Sequence, residues 1–217
     1  NPIPPYSKLD TAAATIQDAV EAAEAGDTVY VASGVYNRGL GAEAPVAGDS
    51  NRVSIAKSIV VRSVDGPEST IIEGAGPADP NTVRCAYLTK GALMSGFTLR
   101  GGATYSVGGG GVFIEGGSIL ENCVIERCDA GTGYGGGVFV RSNGLVTAST
   151  IVSNLATFGG GAYLEGAEAR IQDSTRRDNG NDLTVGGGGA FVLQAGRLSG
   201  CTIEGNLGGN GGGVRLF

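Results

Sequence analysis

The chain contains no histidine, so no serine or cysteine nucleophile can be activated by an imidazole of this chain. General acid and base work would fall to carboxylates, arginine, lysine or tyrosine. The nearest approach to an acidic cluster is Asp173, Asp178 and Asp182, with Arg177 beside it; Glu126, Arg141 and Glu165 are further charged candidates. Four cysteines, Cys85, Cys123, Cys128 and Cys201, show no Cys-x-x-Cys zinc spacing. Glycine triplets resemble phosphate-binding loops in composition alone, because no Lys-Ser/Thr follows them. The net charge of −6, with Lys8, Lys57 and Lys90 the only lysines among 15 basic residues, offers nucleic acid no basic surface. No run of 18 apolar residues is present to span a membrane as a helix. The opening Asn-Pro-Ile-Pro-Pro-Tyr lacks the basic-then-apolar order of a signal peptide, so the chain reads as a mature or excised piece.

The elements that must position these residues repeat. Of 217 residues 41 are glycine, well above the usual ~7%, and they cluster. Gly109-Gly110-Gly111-Val112-Phe113-Ile114 recurs as Gly135-Gly136-Gly137-Val138-Phe139-Val140, then from Gly159, Gly187 and Gly211, at steps of 26, 24, 28 and 24 residues. Fainter copies fall at Ala86-Tyr87-Leu88, Ile59-Val60-Val61 and Val29-Tyr30-Val31. A second block follows each first one: Phe97-Thr98-Leu99, Cys123-Val124-Ile125, Ser149-Thr150-Ile151, Ser174-Thr175-Arg176 and Cys201-Thr202-Ile203. Units of about 25 residues with two short strands each cannot bury a face alone and must stack. This predicts a parallel β-solenoid, one domain over residues 1–217, with eight registers and a rod of roughly 35–40 Å at the usual strand spacing. Residues 10–26, with Asp10 as cap and Gly26 as stop, read as a helix covering the first coil; 37–52 and 74–84 read as projecting loops, and coils run over 28–217.

Alternation assigns faces. Ala86, Val112, Val138, Ala162, Ala190 and Val214 form one inward column, and Leu88, Ile114, Val140, Leu164, Val192 and Leu216 another. Between them Tyr30, Tyr87, Phe113, Phe139, Tyr163 and Phe191 point outward as an exposed aromatic ladder. In the second strand Leu99, Ile125, Ile151 and Ile203 face in, and threonines face out. Arg176 breaks that inner column: either the coil bulges there, as the extra residue in this unit favours, or the arginine enters the core beside a partner such as Asp173 or Asp178. Outer charges alternate in sign between coils, which stabilises register. Asn154, Asn179 and Asn206 recur after the second strand as a side-chain amide ladder. Cys123 and Cys201 share a column too far apart for a disulfide, and Cys85 and Cys128 fall at different corners, so no disulfide is expected.

Thr15-Ile16-Gln17-Asp18-Ala19-Val20, Gly26-Asp27-Thr28-Val29-Tyr30-Val31 and Gly34-Val35-Tyr36 resemble the opening of right-handed parallel β-helix proteins of the pectate-lyase-like superfamily. Gly96-Phe97-Thr98-Leu99 and the glycine-triplet units are similar to bacterial surface β-helix repeats, including those of polymorphic outer membrane proteins. The resemblance implies an extracellular or cell-surface protein, with polysaccharide lyases or hydrolases and non-catalytic adhesins or structural modules as precedents. A lyase would need a base such as Arg177 beside carboxylates such as Asp173 and Asp178, with calcium neutralising a uronate.

The favoured expectation is a non-catalytic structural or adhesive module needing no cofactor. It would use Tyr87, Phe113, Phe139, Tyr163 and Phe191 to bind polysaccharide or other surface proteins. Val214, Leu216 and Phe217, where the chain stops as a strand begins, would form an open edge; either the natural protein continues or another subunit satisfies it. End-to-end stacking of subunits there would give a filament. The alternatives are a polysaccharide lyase or glycoside hydrolase at Arg177 and Asp178, and a carbohydrate-binding module built on the aromatic ladder.

Overall fold

The computed structural model describes residues 11–76, 81–180 and 186–217; Asp10 and Asp182, expected as a helix cap and an acidic-cluster member, lie outside the described residues. The first element is a short helix, α1 (Ile16–Ala22), smaller than the expected 10–26. Thr15 caps it, its hydroxyl accepting from the Asp18 amide. Ile16 and Val20 turn into the core over the first coil, and the buried Gln17 carbonyl accepts from the Ser54 amide at 2.9 Å. At the other end the Lys57 ammonium donates to the carbonyls of Val20, Glu21 and Ala23 at 2.7–2.9 Å. A cation there satisfies carbonyls that have no partner within the helix and complements its dipole.

The rest is a right-handed parallel β-solenoid of three seven-stranded sheets. Sheet A stacks β1 (Thr28–Val31), β4 (Val60–Ser63), β7 (Leu93–Ser95), β10 (Ile119–Glu121), β13 (Leu145–Thr147), β16 (Arg170–Gln172) and β19 (Arg197–Ser199). Sheet B stacks β2 (Gly34–Tyr36), β5 (Thr70–Glu73), β8 (Thr98–Arg100), β11 (Val124–Glu126), β14 (Thr150–Val152), β17 (Thr175–Arg177) and β20 (Thr202–Glu204). Sheet C stacks β3 (Asn51–Ile55), β6 (Arg84–Leu88), β9 (Val112–Ile114), β12 (Val138–Arg141), β15 (Ala162–Glu165), β18 (Ala190–Leu193) and β21 (Val214–Leu216).

Each coil therefore holds three strands where two were expected. The missed one, in sheet A, turns a single residue inward per coil: Val61, Met94, Leu120, Val146, Ile171 and Leu198. The early coils also shift. β1 and β4 pair with each other in sheet A, so Tyr30 does not belong to the aromatic column, which starts instead at Ser54 below Tyr87. Seven strands give a stack of about 29 Å, shorter than expected. The expected loops shorten too, since β3 and β6 begin within them, leaving Gly41 bridged to Asn51 and Ala75 to Val83. Both predicted inner columns of sheet C are buried as far as Ala190 and Val192.

At the corner between sheets B and C the glycine triplets and the asparagines explain each other. The Asn179 carbonyl oxygen accepts from both the backbone and side-chain nitrogens of Asn154 at 3.0 Å, and its own amide donates to Ile151 O and to the Asn206 side chain, each at 2.9 Å. A Cβ on Gly161, across the corner, would sit 2.9 Å from the Asn179 amide and 2.5 Å from Gly189 O. Gly137 and Gly189 face Asn154 and Asn206 in the same way. The third glycine of the triplets at Gly111, Gly137, Gly161 and Gly189 is thus required by close approach, and the first, as at Gly159 (φ 65°) and its counterparts Gly109 and Gly135, by a left-handed turn.

Two arginines are fully buried. Arg84 is satisfied: it donates to Gly109 O at 2.8 Å, Gly108 O at 2.9 Å, Asn51 Oδ1 at 2.6 Å and Asp49 Oδ2 at 2.9 Å, tying the 37–50 segment to sheet C. Arg176 is not. It sits in register between Ile151 and Ile203, with no bulge, and none of its three guanidinium nitrogens has a partner. The extra residue is absorbed in the 166–169 turn instead, and neither Asp173 nor Asp178 reaches inside. Room comes from the facing column of sheet C, which falls from Val112 and Val138 to Ala162 and Ala190 at this height.

An unpaired buried charge costs several kcal/mol. Arg176→Met, which keeps length and removes charge, is therefore expected to raise the unfolding free energy read from urea titration by on the order of 1–4 kcal/mol; an unchanged or lower value would mean that the guanidinium stabilises the coil. Asn179→Ala strips the Asn154 amides of their acceptor and should lower stability by about 2–3 kcal/mol, read in the same urea titration.

Candidate functional site

The acid and base candidates fall apart on the coil. Asp173 and Asp178 stand at opposite ends of β17, each in a left-handed corner conformation (φ 49° and 54°). Their columns repeat that conformation at Gly96, Asn122, Ala148 and Gly200 for the first, and at Gly101, Arg127, Ser153 and Gly205 for the second. Aspartate tolerates this region, so both serve as corner residues. Exposed Arg177 makes a 3.3 Å ion pair with its neighbour Asp178, both side chains being about half exposed. Arg176 points into the core. The other charges pair largely between coils: Arg141 lies 2.8 Å from Glu165 and 3.9 Å from Glu115, Arg100 2.9 Å from Glu73, and Arg62 3.4 Å from Glu121, two coils away. Among the described residues no three His, Cys, Asp or Glu side chains converge.

The aromatic column does face outward from sheet C, but it is not exposed. Tyr87, Phe113, Phe139, Tyr163 and Phe191 retain 0–7% of their surface and form a second apolar cluster, with Val107, Phe158 and Leu193 packed on it. The cover comes from the segments linking sheet B to sheet C, which stack through bridges Gly108↔Tyr134 and Tyr134↔Phe158. The Tyr134 ring lies 4.6 Å from Tyr163 and 5.1 Å from Phe158 between centroids. Arg141 closes one side, 5.0 Å from the Phe113 ring and 5.1 Å from Phe139. The strip of rings expected to be exposed is thus a packed layer.

The Tyr87 hydroxyl donates to Glu115 Oε1 at 2.6 Å. Burial, then that carboxylate, push its pKa up to about 12; burial and Glu165 do the same for Tyr163.

Among the described residues two features are open. At the corner between sheets A and B, Arg62, Ser63, Gly66, Ser95, Gly96, Glu121, Asn122 and Ala148 line a shallow groove of about 460 Å³. Sequence reasoning missed it; the signal was the run of small residues at one corner. The second is the edge of the last coil. β19, β20 and β21 each end their sheet. Leu198, Ile203 and Val214 there are half-buried where their counterparts below are buried, and Leu207, Leu216 and Phe217 are 61%, 74% and 77% exposed. The Phe217 ring stacks on Phe191 at 6.1 Å, and Arg215 lies over both. Of the expected assembly residues, Leu216 and Phe217 are exposed and Val214 anchors the edge to the core.

Residues 85–216, more than half of the chain, match the family model described as a right handed beta helix region. Neither a curated protein nor a solved structure matches the chain. No helix among the described residues is long and apolar enough to cross a membrane.

The raised tyrosine pKa values set an alkaline limit. A group whose folded pKa lies above its unfolded value contributes stability that is complete below the unfolded pKa, about 10 for tyrosine, and is lost as pH rises through the folded value. Stability is expected to fall between about pH 10 and 12, and the double variant Tyr87→Phe, Tyr163→Phe should flatten that fall; an identical profile in urea titrations would show that these phenols are not its source.

Proposed function

Starting from the fact that the chain belongs to the right-handed β-helix family, we propose that it is a non-catalytic structural or adhesive module of a bacterial surface, working outside the cell. Its contact face is the edge of the last coil. The observation that carries this reading is that the charged candidates serve the coil itself, Asp173 and Asp178 at left-handed corners and Arg177 in a pair with Asp178. The proposed contact face is lined by β19, β20 and β21, the last strands of their sheets among the described residues, with Leu207, Leu216 and Phe217 exposed beside them. Such an edge is a template for another β-edge or apolar surface. The use of Asp173 and Asp178 as corner residues, and the pairing of Arg177 with Asp178, support the absence of a catalytic role. The reading calls for no cofactor.

The partner is another copy of the chain, or another surface protein with a matching edge. Stacking end to end would bring the outer face of α1, with Asp18, Glu21 and Glu24 exposed, toward a last coil carrying Arg197 and Arg215 against one carboxylate, Glu204.

Electron microscopy and sedimentation of the purified protein over a concentration series test this. Concentration-dependent rods or oligomers are expected, and Leu216→Lys with Phe217→Lys should disperse them. Particles that stay monomeric at every concentration would remove self-assembly. Cleavage of any polysaccharide in a panel, lost in Arg177→Ala with Asp178→Ala, would replace the structural reading with an enzymatic one.

A further inference from the structure

Contrary to the sequence expectation, Cys85 and Cys128 meet at one corner. Ala86 pairs with Val112, which puts Cys85 directly beneath Gly111; Ala103 bridges Asp129, which puts Cys128 directly above Gly102. Across the corner, a Cβ on Gly102 would lie 2.8 Å from the Cys85 sulfur, and one on Gly111 would lie 3.0 Å from the Cys128 sulfur. Each thiol therefore occupies the space that a glycine leaves free, on adjacent coils. The two thiols interact with each other, and they contact consecutive carbonyls of β8, Cys85 that of Arg100 at 3.3 Å and Cys128 that of Leu99 at 3.7 Å. Both are buried, and both are free thiols in this structure.

Cys128 also holds a place in the asparagine column. Its amide donates to the Asn154 side chain at 2.9 Å, and its thiol contacts Leu99 O just as the Asn154 amide contacts Ile125 O. The column changes from asparagine to cysteine at the one coil where the residue facing it from below is Cys85 and not a glycine. A packing role for one small residue explains either cysteine singly; it does not explain two thiols on adjacent coils at the same corner.

We propose that Cys85 and Cys128 are a redox pair that closes to a disulfide when the chain folds in an oxidising compartment, clamping one coil to the next. The thiolate of either cysteine attacks a disulfide oxidant such as oxidised glutathione, releasing one glutathione thiol. The second cysteine attacks the mixed disulfide, the Cys85–Cys128 bond forms, and a second glutathione leaves. Two cysteine thiols are oxidised, one glutathione disulfide is reduced to two thiols, and the two protons go with them. Burial, then the neighbouring thiol, hold Cys128 well above the ordinary thiol range, so the exchange belongs to folding and the folded reduced form is slow to react.

The experiment is to unfold the full chain under reduction, refold it in a mixture of reduced and oxidised glutathione, alkylate it, and map the peptides without reduction. Expected are a Cys85–Cys128 linked peptide, alkylation of Cys123 and Cys201 only, and a melting temperature several degrees above that of the same protein refolded with dithiothreitol. Cys128→Asn, which extends the amide column over Gly111, keeps the β-type circular dichroism and loses the redox-dependent shift; Cys85→Ser does the same from the other side. Four alkylated cysteines in refolded protein, a different linked pair, or equal melting of the oxidised and reduced forms would each overturn the proposal.

Discussion

Everything in this solenoid hangs on one corner, where sheet B turns back toward sheet C and two chain segments pass within a side chain's width. Only one of the facing positions can carry a side chain. In the later coils it is asparagine, with glycine opposite: Asn154 and Gly137, Asn179 and Gly161, Asn206 and Gly189. The asparagine carries hydrogen bonds along the axis, and the glycine lets the next strand start at the right depth to send Val138, Ala162 or Ala190 into the lumen. Coil length, register and the inward columns follow from that exchange. Glycine abundance in this chain is a packing requirement, not looseness.

The same corner explains what was legible in the sequence. The triplets and the aliphatic-aromatic-aliphatic run after them marked sheet C directly, because its strands alternate over at least three residues. Sheet A was invisible, because strands such as Leu93–Ser95 turn one residue inward and are separated from the next strand by two residues, leaving no alternation to read. Tyr30 misled, since Val29-Tyr30-Val31 copies the sheet C pattern while pairing in sheet A. The outward direction of the aromatics was correct and their exposure was not. Their cover, Val107, Tyr134 and Phe158, comes from linking segments whose apolar residues follow no strand period.

For the site, the charges could be placed on columns, but pairing could not be foreseen. Arg62 reaches across two coils to Glu121, and Arg177 turns to its own neighbour, because long side chains choose partners by reach and not by register. Arg176 shows the limit from the other side. The column position argued for the core and electrostatics argued against it, and the chain follows the column, with alanines opposite making room. Local geometry outweighs a costly charge when six neighbouring coils impose the register.

The aromatic layer gives sheet C packing on both faces, lumen on one and rings on the other, whereas sheets A and B pack on one. Under a load pulling along the axis, hydrogen bonds in all three sheets are stressed together, but only sheet C must also slide ring past ring to separate. It is the spine of the rod: tension is carried there, and tearing starts at the two thinner walls.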